Sequence, residues 1–264
     1  ENNSLGVIIW NKMNPKGDAL GVSAMHEYVL CFAKNKTQFL SQENALLKEK
    51  ENAEKILTKA KLLFSKLGKE TIPESVKEVI KPFKYSKEQQ KDFEVEYTLD
   101  LVNIEFASWL SKQPFSGGEK AYKFIDEEGE VYQSVSMAWP NKEQAPKDYT
   151  LPLTHPVTGK LCPIPSRGWR NPSSTMQSLL ARDLILFGKN EETQQRRKYF
   201  LRENLLENTT SIFNYAGSDD DLLEKLGVKF PYAKPVNVGK YLLKSIHPNP
   251  KIVVDFFAGS GTAG

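Results

Sequence analysis

Apolar residues gather in short runs at both ends of the chain and in a spaced stripe between them. Residues 5–10, Leu-Gly-Val-Ile-Ile-Trp, read as a buried strand. Residues 25–34 read as a second strand, apolar after Glu27. The turn-rich segment 11–18 between them predicts a hairpin or an adjacent pair at a sheet edge. Across residues 41–67, Leu46, Ala53, Ala60 and Leu67 recur every seven positions, with Ile56 and Leu63 on the same stripe. This spacing predicts one long helix, capped by Ser41 and stopped by Gly68, with Lys and Glu on its solvated faces. A short helix is expected after Pro73, and Ser86 with Gln89 offers a capping box for another running to about Leu110. These charged helices suggest an insertion folded as a hairpin, either a solvated bundle or a protein–protein arm.

The texture changes after Pro114. Residues 121–125 and 131–136 flank an acidic glycine turn and predict a β-hairpin. Residues 139–172 are rich in Pro, Lys, Arg and aromatics, with a tight turn at 155–160. A helix capped by Ser173 or Ser174 is expected to reach Ala181 or Arg182, followed by a short strand at 184–188. Arg196-Arg197-Lys198 leads into an apolar strand; a charge run of this kind is most simply a solvated face. At the far end, Ile252-Val253-Val254-Asp255 reads as a buried parallel strand that breaks into the glycine-rich turn 258–264.

Composition narrows the class. The chain has 264 residues with 39% hydrophobic content, enough for a sizeable core and two domains. It has no apolar run of about 18 residues and no basic-then-apolar leader. Cys31 and Cys162 are far apart and form no Cys-x-x-Cys pair, so free thiols in a reducing cytoplasm are expected, without a zinc site. A net charge of +3 does not by itself imply nucleic acid, although 36 Lys and Arg residues can form a local patch. Both ends are abrupt, and a piece of a longer protein is expected.

Candidate chemistry lies in three places. A small-residue turn after a strand is where open α/β sheets bind cofactors, with Gly259 and Gly261 permitting close backbone approach. Taken alone, the same turn equally suits a strand-to-helix loop with no ligand. It is not a phosphate loop, because Gly-x-x-x-x-Gly-Lys-Ser/Thr is absent. Arg167-Gly168-Trp169-Arg170 places two guanidiniums around an aromatic; such a group contacts phosphates, reads guanine and stacks on bases, or folds a proline-rich loop by cation–π packing. His26, with only Glu27 nearby, fits a structural histidine and no hydrolytic triad.

The motif from Asp255 to Thr262, Asp-Phe-Phe-Ala-Gly-Ser-Gly-Thr, resembles the S-adenosylmethionine motif of amino-methylating DNA methyltransferases. Phe256, where the family has proline, is similar to the modification subunits of type III restriction systems. Phe230-Pro231-Tyr232-Ala233-Lys234-Pro235 followed by Leu242-Leu243 resembles the preceding cofactor motif, with Ala233 in place of its first proline. Trp-x-Lys-x-x-Pro followed by His-Glu-Tyr resembles the segment after the family's catalytic loop, which faces DNA. The order Pro-x-Thr-Gly-Lys, Gly-Trp-Arg, Phe-Gly and Arg-Lys-Tyr-x-Leu resembles the target-recognition region. The resemblance covers residues 1–36 and about 114–264.

It implies an α/β fold, with a partial Rossmann-like methyltransferase sheet, an inserted helical arm and an α+β recognition domain. The implied divisions are a catalytic part at 1–36, the insertion at 37–113, target recognition at 114–215 and a return to the catalytic domain at 216–264. S-adenosylmethionine is the implied cofactor, held by Lys234, Pro235, Asp255, Phe257, Ala258, Gly259, Ser260, Gly261 and Thr262. Double-stranded DNA is the implied partner, contacted by Lys12, Asn14, Lys16, Lys160, Arg167, Trp169, Arg170, Arg196 and Arg197. Arg167 and Arg170 are expected nearer the bases, and Arg196, Arg197 and Lys198 on the DNA backbone. In the full-length protein a homodimer and a restriction subunit are implied, with no membrane partner and no metal.

The family's catalytic Asp/Asn/Ser-Pro-Pro-aromatic motif does not occur in this sequence, so no catalytic residue is carried over. The implied reaction flips an adenine out of the duplex and passes a methyl group from sulfonium to its amino nitrogen. Two other functions stay open: a DNA-binding or assembly module without catalysis, and a methyltransferase for RNA or a small molecule.

Overall fold

A computed structural model describes residues 3–14, 17, 19–247 and 250–262. The chain is mixed α/β, with five small sheets among the described residues. It divides into two compact units, residues 1–50 with 206–264, and residues 51–205.

The first unit is built on a three-stranded sheet. Its central strand, Ser4–Asn11, pairs antiparallel with His26–Phe32 and parallel with Ile212–Asn214. The hairpin read from the sequence is therefore present. Strand alternation buries Ile8, Trp10 and Cys31 on one face and leaves Val7, Tyr28, Leu30, Phe32 and Ile212 exposed. The indole N–H of Trp10 donates to the carbonyl of Tyr215 at 3.0 Å, tying the central strand to the residues just beyond its parallel neighbour. The unit also holds the ladder of Leu47–Glu49 with Leu206–Asn208 and the helices Lys36–Leu40, Asp220–Lys225 and Val236–Ile246.

Residues 252–256 do not form the buried parallel strand expected. Ile252 is 84% and Phe256 is 86% exposed. A buried parallel strand needs neighbours for its backbone groups and helices over both faces, and no strand among the described residues pairs with this one.

The second unit holds two apolar clusters. In the first, the helix Ala53–Phe64 presents Ala53, Ile56, Ala60 and Leu63 to Val102, Phe106 and Leu110 of the helix Leu99–Ser111. Tyr122, Ile125, Val131 and Leu201 join the same cluster, so the helical segment and the hairpin after it share one core. Complete burial of Ile56 and Leu63 contributes about 1.5–3 kcal/mol each. The second cluster gathers Met137, Leu153, Cys162, Trp169, Met176, Leu179, Leu184, Ile185 and Phe200. An antiparallel sheet in the order Ile185–Leu186, Arg196–Phe200, Val131–Ser136, Phe124–Ile125 contributes to both clusters.

Helix limits depart from the sequence reading in two places. The long helix begins after Asn52, not Ser41, because residues 47–49 are drawn into a ladder with 206–208 and Leu46 takes a left-handed φ of 55°. The Ser86–Gln89 capping box exists, but its helix ends at Lys91. Thr98 caps the next helix separately, accepting from the backbone of Leu101. The helix after Pro73, the glycine-turn hairpin and the turn at 155–160 form where they were read. The helix Ser173–Ala181 also forms, but Pro172 and not Ser173 or Ser174 stands at its cap, and the Ser173 hydroxyl donates to the Asp148 carbonyl instead.

Candidate functional site

In the first unit, most of the expected cofactor residues come together. A groove of about 490 Å³ is lined by Lys234, Asp255, Phe257, Ala258, Gly259, Ser260 and Thr262. Pro235 and Gly261 are not among its lining residues. Pro235 instead starts the helix Val236–Ile246, its carbonyl accepting from the backbone of Val238 at 2.9 Å.

Hydrogen bonds shape the loop. Asp255 accepts from the backbone of Phe257 at 3.0 Å. The Gly261 N–H donates to the carbonyl of Ala258 at 2.7 Å, closing a turn in which Gly259 and Gly261 take φ of 55° and 79°. Thr262 Oγ1 lies 2.8 Å from Ser260 Oγ and donates to the Lys234 carbonyl at 2.8 Å. The last bond joins the two halves of the motif across the groove. A Cβ on Gly259 would meet the Phe230 ring at 3.4 Å, an ordinary van der Waals contact, so the left-handed φ rather than lack of space favours glycine there. Phe257, by contrast, is 92% exposed, an apolar ring offered to solvent at the groove.

Phe230, Tyr232, Leu242 and Leu243, part of the preceding motif but not among the expected contacts, also line the groove. Gly239, absent from the sequence reading, joins Leu242 and Leu243 at i, i+3 and i+4 of the helix; its signal was its place on the same helix face as the Leu-Leu pair. Glu27 was also missed as a clamp. It accepts from Lys234 Nζ through both oxygens, at 2.8 and 2.7 Å, and pairs with Lys12 at 2.6 Å. Both ammonium groups lie near the Trp10 ring, 5.5 and 5.6 Å from its centroid. Burial pushes the Glu27 carboxyl up, but the two lysines outweigh it and hold it below the ordinary carboxylate range. Lys12 is thus an ion-paired residue. Asn14 is exposed, and Lys16 lies outside the described residues.

The remaining expected DNA contacts belong to the second unit. Trp169, expected among the DNA contacts, is not exposed to meet a base. It is 0% exposed, sits in the second core cluster, and donates its indole N–H to the Leu151 carbonyl at 2.8 Å. An indole of this size is drawn inside where its N–H finds an acceptor. Arg167 donates to the Asn141 carbonyl at 2.6 Å. Arg196 donates to the hydroxyl and carbonyl of Ser134 at 2.6 and 2.7 Å. Lys160 pairs with Glu191 at 2.8 Å, which holds the Glu191 carboxyl down to about 2. Arg170 and Arg197 line a shared concavity of about 310 Å³.

His155, buried in the tight turn, accepts at Nδ1 from the backbones of Val157 and Thr158, and its Nε2 lies 3.0 Å from the Gly188 carbonyl. It is a structural histidine. Among the described residues there is no cluster of three or more His, Cys, Asp or Glu placed to hold a metal, and no helix long and apolar enough to cross a membrane.

Comparisons with known proteins follow the same lines. The family described as DNA methylase matches residues 1–264. The chain is 25% identical over 272 aligned residues to the Mod subunit of the type III restriction-modification enzyme EcoP15I from Escherichia coli, covering 99% of this chain and 36% of that protein. It is 28% identical over 114 residues to the Mod subunit of the type III enzyme StyLTI from Salmonella typhimurium, covering 41% of this chain and 18% of that protein. The chain therefore spans well under half the length of the curated relatives it matches.

Proposed function

The chain belongs to the DNA methylase family, and on that premise we propose that it is part of a site-specific DNA adenine-N6 methyltransferase of a type III restriction-modification system. The observation that carries this reading is the groove. Two sequence motifs about twenty residues apart, around Lys234 and from Asp255 to Thr262, meet there through the Thr262–Lys234 hydrogen bond. The likeness to the EcoP15I Mod subunit along 99% of this chain supports the type III assignment.

S-adenosylmethionine fits the residues present. The groove falls in the size range of small-molecule sites. Left-handed glycines at 259 and 261 let a ligand approach the main chain, and Asp255 offers acceptor oxygens for ribose or amine donors. Phe257, Leu242 and Leu243 supply apolar surface for an adenine ring. When bound, this cofactor supplies a methyl group activated by a sulfonium. The chain's own residues bind and orient. The Glu27 carboxylate holds the Lys234 ammonium, and Thr262 keeps the glycine loop against the start of the helix. No catalytic residue is assigned to this chain.

Residues 1–36 and 216–264 are proposed as catalytic-domain segments, 37–113 as the helical insertion and 114–215 as the target-recognition domain. A Rossmann-like sheet in the full-length protein, a homodimer, a restriction subunit and a cytoplasmic location belong to the same proposal. The test is methyl transfer from labelled S-adenosylmethionine to duplex DNA by the intact protein, with the product base identified by mass. N6-methyladenine supports the reading. Binding of DNA without any transfer favours a DNA-binding module instead.

A further inference from the structure

The chain has six arginines, all between positions 167 and 202. Four are engaged. Arg167 and Arg196 donate to Asn141 and Ser134, Arg182 pairs with Glu203 at 3.1 Å, and Arg202 pairs with Glu130 at 2.5 Å. The guanidiniums of Arg170 and Arg197 have no hydrogen bond or ion pair among the described residues.

These two line the same concavity, together with Gln133, Ser136, Asn171 and Tyr199, and among the described residues no carboxylate borders it. Both are positioned by the fold. Strand register sets Arg197 opposite Val135 and Tyr199 opposite Gln133, on one face of the sheet. The Arg197 guanidinium lies 4.3 Å from the centroid of the Tyr199 ring, and its Nε is buried without an acceptor. Arg170 is held by the buried Trp169 before it and by its own backbone N–H, which donates to the Met137 carbonyl at 2.6 Å. Trp169 thus acts as a peg that sets the arginine beside the sheet.

Two cations sharing a concavity with no acid repel each other, and a buried N–H with no acceptor is unfavourable. A ligand with several acceptor atoms relieves both. Guanidinium forks match phosphate oxygens, and equally the O6 and N7 atoms of guanine.

We propose that Arg170 and Arg197 form one acceptor-binding seat for DNA, taking a phosphate or the O6/N7 edge of guanine. This rests on the DNA-binding reading above. It replaces the pairing of Arg167 with Arg170 and separates Arg197 from Arg196.

The experiment uses the intact protein, a randomised duplex library and sequencing of the bound fraction, followed by binding of an enriched duplex across salt. The variants are Arg170→Gln, Arg197→Gln, Arg197→Lys and, as a control, Arg167→Gln. Arg170 is exposed, so its variant is expected to fold. If the seat reads guanine, Arg170→Gln and Arg197→Lys both lower the preference for guanine at one position by roughly 5- to 150-fold. If it holds a phosphate, Arg170→Gln weakens all sequences alike and reduces the salt slope by about one, while Arg197→Lys keeps the slope. In either case Arg167→Gln changes neither quantity. The seat is overturned if Arg170→Gln and Arg197→Gln match the unsubstituted protein in preference and slope while DNA still binds. Failure of the unsubstituted protein to bind duplex overturns the DNA-binding reading itself, and the seat with it.

Discussion

Glu119 is 3% exposed and joins two helix starts in the second unit, so replacing it with glutamine is expected to be costly. One carboxylate oxygen accepts from the Asn52 backbone at 2.9 Å, at the start of the helix Ala53–Phe64. The other accepts from the backbone N–H and the hydroxyl of Ser116, both at 3.0 Å. Glutamine keeps the shape but has one acceptor oxygen, so either Asn52 or Ser116 leaves a main-chain N–H facing an NH2 group. Losing that acceptor costs about 1–3 kcal/mol, and changing the surviving bond from charged to neutral costs about 1 kcal/mol more. The sum, roughly 2–4 kcal/mol, corresponds to a fall of about 5–15 °C in the melting temperature of a unit this size.

The pH dependence has a defined sign. Burial pushes the Glu119 carboxyl up, but the hydrogen bonds from Asn52 and Ser116 outweigh it and hold it below its ordinary value of 4.5. A lowered carboxyl stabilises the fold above that ordinary value, and the contribution is lost as pH falls through the folded pKa. The gap between the unsubstituted protein and Glu119→Gln should therefore be full at pH 7 and shrink in acid. Urea unfolding followed by tryptophan fluorescence, at pH 7 and in acid, measures it. A gap under about 0.5 kcal/mol at pH 7, well short of a lost buried acceptor, or one unchanged in acid, would refute the reasoning.

Gly168 has φ 94°, and a Cβ there would lie 2.9 Å from the Ala145 Cβ and 3.1 Å from the Tyr149 carbonyl oxygen. Gly168→Ala is therefore expected to destabilise the second unit by about 1–3 kcal/mol in the same urea assay. Cys31 and Cys162 are free and buried, and burial pushes both thiols up. An aromatic disulfide reagent should titrate both rapidly only after denaturation; fast reaction of either in the native protein would contradict the packing described.

Local pattern carried much of the architecture. The apolar runs at 5–10 and after Glu27 became paired strands, because a hairpin is specified by neighbouring residues. The Ser86–Gln89 box formed for the same reason. The start of the long helix was not legible, since residues 47–49 pair with 206–208 and no local periodicity encodes a partner so distant in sequence. The string Arg-Gly-Trp-Arg holds no record of which side chain turns inward; the Leu151 carbonyl that accepts from Trp169 lies in another loop. The glycine-rich loop was legible as a unit because its glycines and short polar residues bond among themselves, at Ser260, Gly261 and Thr262. Its apolar lead-in was over-read as a strand because β-branched sequence alone does not supply partners.

The central claim is that the groove around Lys234 and residues 255–262 binds S-adenosylmethionine, and isothermal calorimetry of that compound into the intact protein tests it most directly. The comparison is with Gly259→Asp, which puts a side chain at a left-handed φ of 55° and sets a carboxylate in the loop. The account predicts saturable binding by the unsubstituted protein and a loss of roughly tenfold or more, above 1.4 kcal/mol, in the variant at unchanged circular dichroism. No binding by the unsubstituted protein, or equal affinity in the two, would contradict it.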